Sequence, residues 1–196
     1  GLDATYVPSG STYDTGSRAW EIPSTAQCQQ CHTVAAGQTL GLETAQLRRV
    51  TTEYGAPIDQ VDAFAGMGLF TTAPTDPTAY PGLTDGGAPI DTRARAYLQV
   101  QCAHCHQPGG TAPTDLDLRW STPFVSTQTC GVSPSNGDLG VPGAALVTPG
   151  DPATSVVSLR MHALDDDRMP ALGTVWVDPD GTSVVDGWIR GLSGCP

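Results

Sequence analysis

Apolar residues in this chain come in short bursts separated by Gly, Pro, Ser and Thr, so the pattern predicts short elements joined by long loops. The steadiest run is "IDTRARAYLQVQ", Ile90 to Gln101, where Ala94, Tyr97, Leu98 and Gln101 recur at helical spacing. Asp91 is placed to cap its first turn, and the helix is expected to end at Cys102. "TSVVSLRMHAL" predicts a helix starting near Thr154. "GTSVVDGWIRGL" predicts a closing helix with Val184, Val185, Trp188 and Ile189 on one side and Gly191 and Gly194 as stop signals. Upstream the pattern is weaker. "TLGLETAQLRRV" aligns Leu42, Ala45, Leu47 and Val50, and "APIDQVDAFAGMGLF" aligns Ile58, Val61, Phe64 and Ala65. Between Asp115 and Val147 no period holds, and "LDLRW" and "AALVTP" are the places where strand is expected.

These patterns divide the chain. Residues 1–19 are rich in Ser, Thr, Gly and Tyr without a period and read as an irregular arm. Residues 20–75 form a first module and residues 91–196 a second, which carries a loop insertion. Residues 76–90 lie within a stretch dense in Pro, Gly, Thr and Asp and read as a linker. The expected class is mainly α, two small modules with extensive loops and little strand.

Composition sharpens this. In 196 residues there are 23 Gly and 17 Pro, which leaves a thin core that needs a staple, a metal or a cofactor. A net charge of -11 excludes the basic stripe of a nucleic-acid binder and any simple attraction to an anionic membrane surface. No apolar run has the length of a transmembrane segment. No secretory leader is visible at Gly1, which does not by itself fix the compartment.

The six cysteines change the picture most. "TAQCQQCHTVAAG" carries Cys28, Cys31 and His32, and "AYLQVQCAHCHQPGG" repeats the spacing with Cys102, Cys105 and His106. Cys-x-x-Cys-His is the attachment pattern of c-type haem. Two thiols add across the two vinyl groups of one porphyrin, so their separation must match the macrocycle edge, and the adjoining His ligates iron from below. A redox dithiol or half of a zinc site leaves the adjoining His unexplained in both copies. An iron–sulfur cluster needs a further cysteine at suitable spacing. The expectation is two covalently attached haem c groups. Cys130 and Cys195 are an even remainder, which fits one disulfide in an oxidising compartment, periplasmic or extracellular.

The sixth iron ligand decides between electron transfer and chemistry on a bound molecule. Its candidates are Met67, Met161, Met169, His104 and His162. Met169, in "DDRMPALG", is favoured for the second haem, with His162 and Met161 as alternatives. Met67, in "DAFAGMGLF", is favoured for the first, against a packing methionine and no ligand from this half. His104 lies between two attachment cysteines and is expected to face solvent or a haem rim. Arg48, Arg49, Arg119, Arg160 and Arg168 are candidates for haem propionates or for surface charge balance. Trp20, Trp120, Trp176 and Trp188 are expected as pocket or core walls, Trp188 as core. "DPDGTSVVD", Asp178 to Asp186, has some calcium-loop character but lacks the terminal Glu, so a turn before the last helix is expected.

From Trp20 to Leu192 the chain resembles dihaem c-type cytochromes built from two consecutive cytochrome c-like modules. The resemblance rests on "W-x-I-P" before the first motif, "GLETAQLRR" after it and "ARAYLQVQCAHCHQPGG" at the second. It continues through "LVTPGDPATSVVSLRM", "RMPALG" and "VVDGWIRGL". It implies His32 and His106 as proximal ligands, a mostly helical cytochrome c fold in the second module, and Met169 as a distal ligand. It gives Met67 less support, because the first module is short and has no counterpart of "RMPALG". Such modules are associated with secreted or cell-surface redox proteins. Cys130 and Cys195 are outside the general pattern and are expected to tie the irregular insert to the C-terminus. The expected function is electron transfer, with a redox protein or a fused redox domain as donor or acceptor. The rival is a dihaem peroxidase-like or other small-ligand-converting enzyme with one open haem. A third possibility is subunit docking through the N-terminal arm.

Overall fold

A computed structural model describes residues 3–41, 43–76 and 78–196. The chain is mainly α, with about 30% helix and 8% strand. Its elements run β1 (Ser11–Asp14), β2 (Ala19–Ile22), α1 (Thr25–Cys31), α2 (Thr44–Leu47), β3 (Val50–Thr51), β4 (Ile58–Asp59), α3 (Gln60–Gly66), α4 (Ile90–Cys102), α5 (Val156–His162) and α6 (Pro179–Gly191). Single 3₁₀ turns sit at Phe124–Ser126 and Pro152–Thr154.

The core belongs to the second half. α4 packs along α6, and α5 packs on α6. Ala94, Leu98, Val147, Val185, Trp188 and Ile189 meet in one buried cluster. Two glycines of α6 allow the close approach of α4. A Cβ on Gly181 would lie 2.2 Å from the Tyr97 ring, and one on Gly187 would lie 2.7 Å from Ile90 Cδ1. The Tyr97 hydroxyl donates to Asp178 Oδ2 at 3.1 Å, so the packed ring is also tied by its polar end. Cys130 and Cys195 form the expected disulfide, S–S 2.11 Å, joining the irregular insert to the end of the chain.

The first half is held by polar ties. Among its helices only Val61 and Ala63 are buried. Arg48 donates to Asp59 and Asp62 and to the carbonyls of Asp76 and Pro74. Tyr80 donates to Glu43 Oε2 at 3.0 Å and meets Trp120 in a tilted ring contact with centroids 5.0 Å apart, which fixes the linker to both halves.

Several sequence expectations are corrected. The arm is irregular over residues 3–10 only, and its second half enters a hairpin. β1 and β2 form an antiparallel hairpin, closed by Thr15 N–H on the Arg18 carbonyl at 3.0 Å, with Gly16 at φ 80°. Nearly every residue of that hairpin is exposed, so no apolar period marked it. "LDLRW" and "AALVTP" form no strand ladder, only the isolated bridges Cys130–Val147 and Ala145–Ser155. Pro89, not Asp91, holds the cap position of α4, and Asp91 sits within its first turn. α5 starts at Val156, close to the expected Thr154, with Ser155 in the cap position. Ile58 is in β4 and not on the helix stripe with Val61. Asp178–Asp186 is neither calcium loop nor plain turn: Asp178 caps α6 through the N–H groups of Asp180 and Gly181, and the helix starts there. The α2 stripe position Leu42 lies outside the described residues.

Candidate cofactor site

Each motif hangs on the end of a helix. Ser24 and Gln27 close a capping box that starts α1, Ser24 N–H on Gln27 Oε1 at 2.8 Å and Gln27 N–H on Ser24 Oγ at 3.3 Å. The box sets Cys28 and Cys31 on one face of a two-turn helix, and His32 ends it. His32 Nδ1 lies 2.7 Å from the Gln38 carbonyl, so that nitrogen carries the proton and Nε2 is left as a donor atom for a metal. At the second motif α4 ends on Cys102. The N–H groups of Cys105 and His106 fold back onto the Cys102 carbonyl at 3.1 and 2.9 Å. Gly110 passes directly beneath this turn: a Cβ there would be 2.1 Å from the Cys105 carbonyl oxygen. His106 Nδ1 is 3.3 Å from Thr114 Oγ1.

The two motifs meet. Cys31 Sγ and Cys105 Sγ are 3.7 Å apart, and Thr111 Oγ1 donates to the Gln30 carbonyl at 2.5 Å. Beside this junction an open cleft encloses about 1450 Å³, its mouth included. Cys102, Cys105 and His106 line it, as do Met161, Met169 and Pro170. Leu98, Leu116, Leu118, Leu146, Val156 and Val157 make the lining largely apolar. A smaller cavity of about 620 Å³ lies between the loop after α1 and α4, lined by Ala35, Leu40, Glu43, Gln99, His104 and Arg119.

Burial sets the protonation of these groups. It pushes the Cys102 thiol up to about 12, with the Cys105 charge adding. It also pushes Cys31 up to about 11, again with Cys105 contributing. A hydrogen bond from His104 pulls Cys105 down to about 7 against burial, assisted by Thr111. Burial, with the charge of His104 second, lowers His106 to about 4, so its imidazole is neutral near pH 7 and ready to bind a metal.

The cleft brings together Cys31, Cys102, Cys105, His106 and Met169 of the expected set. Met161, an alternative ligand, lines it as well but is 9% exposed and part of the core. His162 is engaged elsewhere, with Nε2 3.1 Å from Asp186 Oδ2. His32 is exposed, and Met67 follows the end of α3 at 53% exposure and lines neither cavity. His104 is partly exposed and lines both cavities, and a ring nitrogen lies within 4.8 Å of the Cys31 and Cys105 sulfurs. Of the candidate arginines Arg160 lines the cleft, Arg119 pairs with Asp117 at 2.6 Å, Arg49 bonds Gln60, and Arg48 is spent on the first half. Trp188 is core and meets Phe124 edge to face. Trp20 and Trp176 are half-exposed and pair with each other, not with the core. Sequence reasoning missed Gln38 and Gln30, which act through their carbonyls and so leave no side-chain signal, and Thr114.

The donor set fits a covalent haem at the second motif: two thiols, a neutral imidazole and a thioether facing one apolar cleft. At the first motif the thiols and a tautomer-fixed His32 are present. No protein-family model, curated protein or solved structure matches this chain.

Proposed function

We propose that this chain is a dihaem c-type cytochrome that transfers electrons between redox partner proteins. Cys28 and Cys31 would attach one haem and Cys102 and Cys105 the other, with His32 and His106 as proximal ligands and Met169 as distal ligand of the second. The observation that carries this reading is the convergence of Cys102, Cys105, His106 and Met169 on one apolar cleft.

Bound haem supplies a one-electron iron couple. The chain's residues hold and tune it. Thr114 sets the ring of His106, Gln38 sets that of His32, and the largely apolar lining gives the second site a greasy wall. As a ligand, the thioether of Met169 would raise the potential, because it donates weakly to ferric iron. Because the Cys31 and Cys105 sulfurs touch, the chain holds its two attachment points side by side. The acidic surface suits a basic redox partner, and the disulfide suits a periplasmic or extracellular home. Among the described residues no helix is long and apolar enough to cross a membrane.

A second reading, a dihaem peroxidase-like enzyme with one open haem, draws on the exposure of Met67 away from both cavities. Near-infrared magnetic circular dichroism of the oxidised protein, matured in a host that attaches haem c, separates the two. Low-spin iron throughout, with a His/Met band, supports the relay. High-spin iron with peroxide turnover supports the enzyme. Cys31, His104 and Cys105 also form a donor set for zinc or copper(I). Bound zinc or copper with free thiols and no haem would contradict both haem readings.

A further inference from the structure

Met169 sits in a stretch without regular structure between α5 and α6, yet that stretch must present the sulfur steadily to the cleft. Its inner ties are local. Met169 N–H donates to the Arg160 carbonyl at 2.9 Å, and Arg160 Nη1 donates to the Asp167 carbonyl at 2.9 Å. Its outer ties come from the other end of the chain. The Trp176 ring meets Trp20 of β2 with centroids 5.8 Å apart at 52°. The guanidinium of Arg18, in the hairpin turn, lies 4.0 Å over the Trp176 ring. Arg168, the residue before Met169, pairs with Glu21 of β2 at 3.8 Å. The hairpin therefore grips the methionine stretch on both sides of Met169.

Trp20 and Trp176 are 42% and 41% exposed, so this contact adds little to the buried core. It instead joins two segments that both lack apolar anchorage of their own. Strand pairing sets Trp20 opposite Tyr13, which stiffens the strand that carries the grip.

We propose that the β1–β2 hairpin is a clamp that positions Met169, with Arg18, Trp20 and Glu21 as positioning residues. The proposal rests on the reading of Met169 as distal ligand and assigns the control of that ligand to the N-terminal segment. With the clamp intact, thermal opening of the methionine stretch is suppressed. Without it, Met169 leaves the cleft more often, and the haem it serves takes a lower potential.

The test uses the full chain carrying Arg18→Ala, Trp20→Ala and Glu21→Gln together, with Trp20→Phe alone as the conservative variant. Two readouts are taken. Amide hydrogen exchange over residues 165–176 should rise about tenfold in the triple variant, the scale expected from losing one aromatic pair and its cation. In the haem-loaded protein, the His/Met charge-transfer band and the potential of one haem should fall while the other haem is unchanged. Trp20→Phe should restore both. Faster exchange with an unchanged band and potential would reduce the hairpin to a structural tie and overturn the positioning claim, as would unchanged exchange. If the wild-type chain takes up no covalent haem, the functional reading fails and the positioning claim is overturned with it; exchange then decides only whether the hairpin grips the stretch.

Discussion

Cutting the Cys130–Cys195 disulfide should weaken the fold and spare the cofactor. The bond closes a loop with a sequence separation of 65 residues. Loop-closure entropy for a loop of that length is about 14 cal/mol/K, or about 4 kcal/mol at room temperature. Domains of this kind are stable by about 5–15 kcal/mol, so the effect is a large share of the total. The two ends differ in what else holds them. Gly131 N–H bonds the Val147 carbonyl at 2.9 Å, so the Cys130 side stays docked, whereas Ser193–Pro196 are exposed and have the disulfide as their anchor. The assay is urea unfolding of the Cys130→Ser/Cys195→Ser variant followed by tryptophan fluorescence. The midpoint should fall, and the slope should rise because the uncrosslinked unfolded chain exposes more surface. Neither cysteine lines the cleft, so the covalent haem count should match that of the wild type. A wild-type midpoint, or loss of haem, would refute the reasoning.

Other outcomes follow from particular contacts. Arg119 first, then Thr122, holds the Asp117 carboxyl down at about 2, below its unfolded value. Its contribution is therefore full above about pH 4 and is lost as pH falls toward about 2. Asp117→Asn should flatten that acid limb and cost about 1–2 kcal/mol at neutral pH, discounted because Arg119 is 41% exposed; an unchanged acid-unfolding curve would dismiss the pair. Gly181→Ala drives a Cβ into the Tyr97 ring and should destabilise by about 2 kcal/mol in a thermal melt, with wild-type stability counting against the close helix approach. Met169→Leu keeps the volume and should keep both haems while removing the His/Met band and lowering one potential; a retained band would move the ligand to Met161 or Met67.

The second half was legible where one face is buried. α4 and α6 were read from Ala94, Leu98, Val185 and Trp188 because those side chains fill one core at helical spacing. The two Cys-x-x-Cys-His motifs were legible because their spacing is local in the chain. The hairpin was not, since neither of its faces is buried and Trp20, read as a pocket or core wall, is half-exposed. "LDLRW" misled for a physical reason. Leu116 and Leu118 are buried at a strand-like spacing, but Asp117 between them is buried too, held by Arg119 and Thr122, so the segment has no solvent face and pairs with no neighbouring strand. The meeting of Cys31 with Cys105, and the placing of His104 between them, depends on tertiary contacts across 74 residues that no local pattern reports.

The most direct test of the central claim is the intact mass of the chain under denaturing conditions after maturation in a host that attaches haem c. The account predicts the chain plus two haems, with Cys28, Cys31, Cys102 and Cys105 blocked to thiol reagents and Cys130 and Cys195 still paired. The mass of the bare chain, with four reactive thiols, would contradict it.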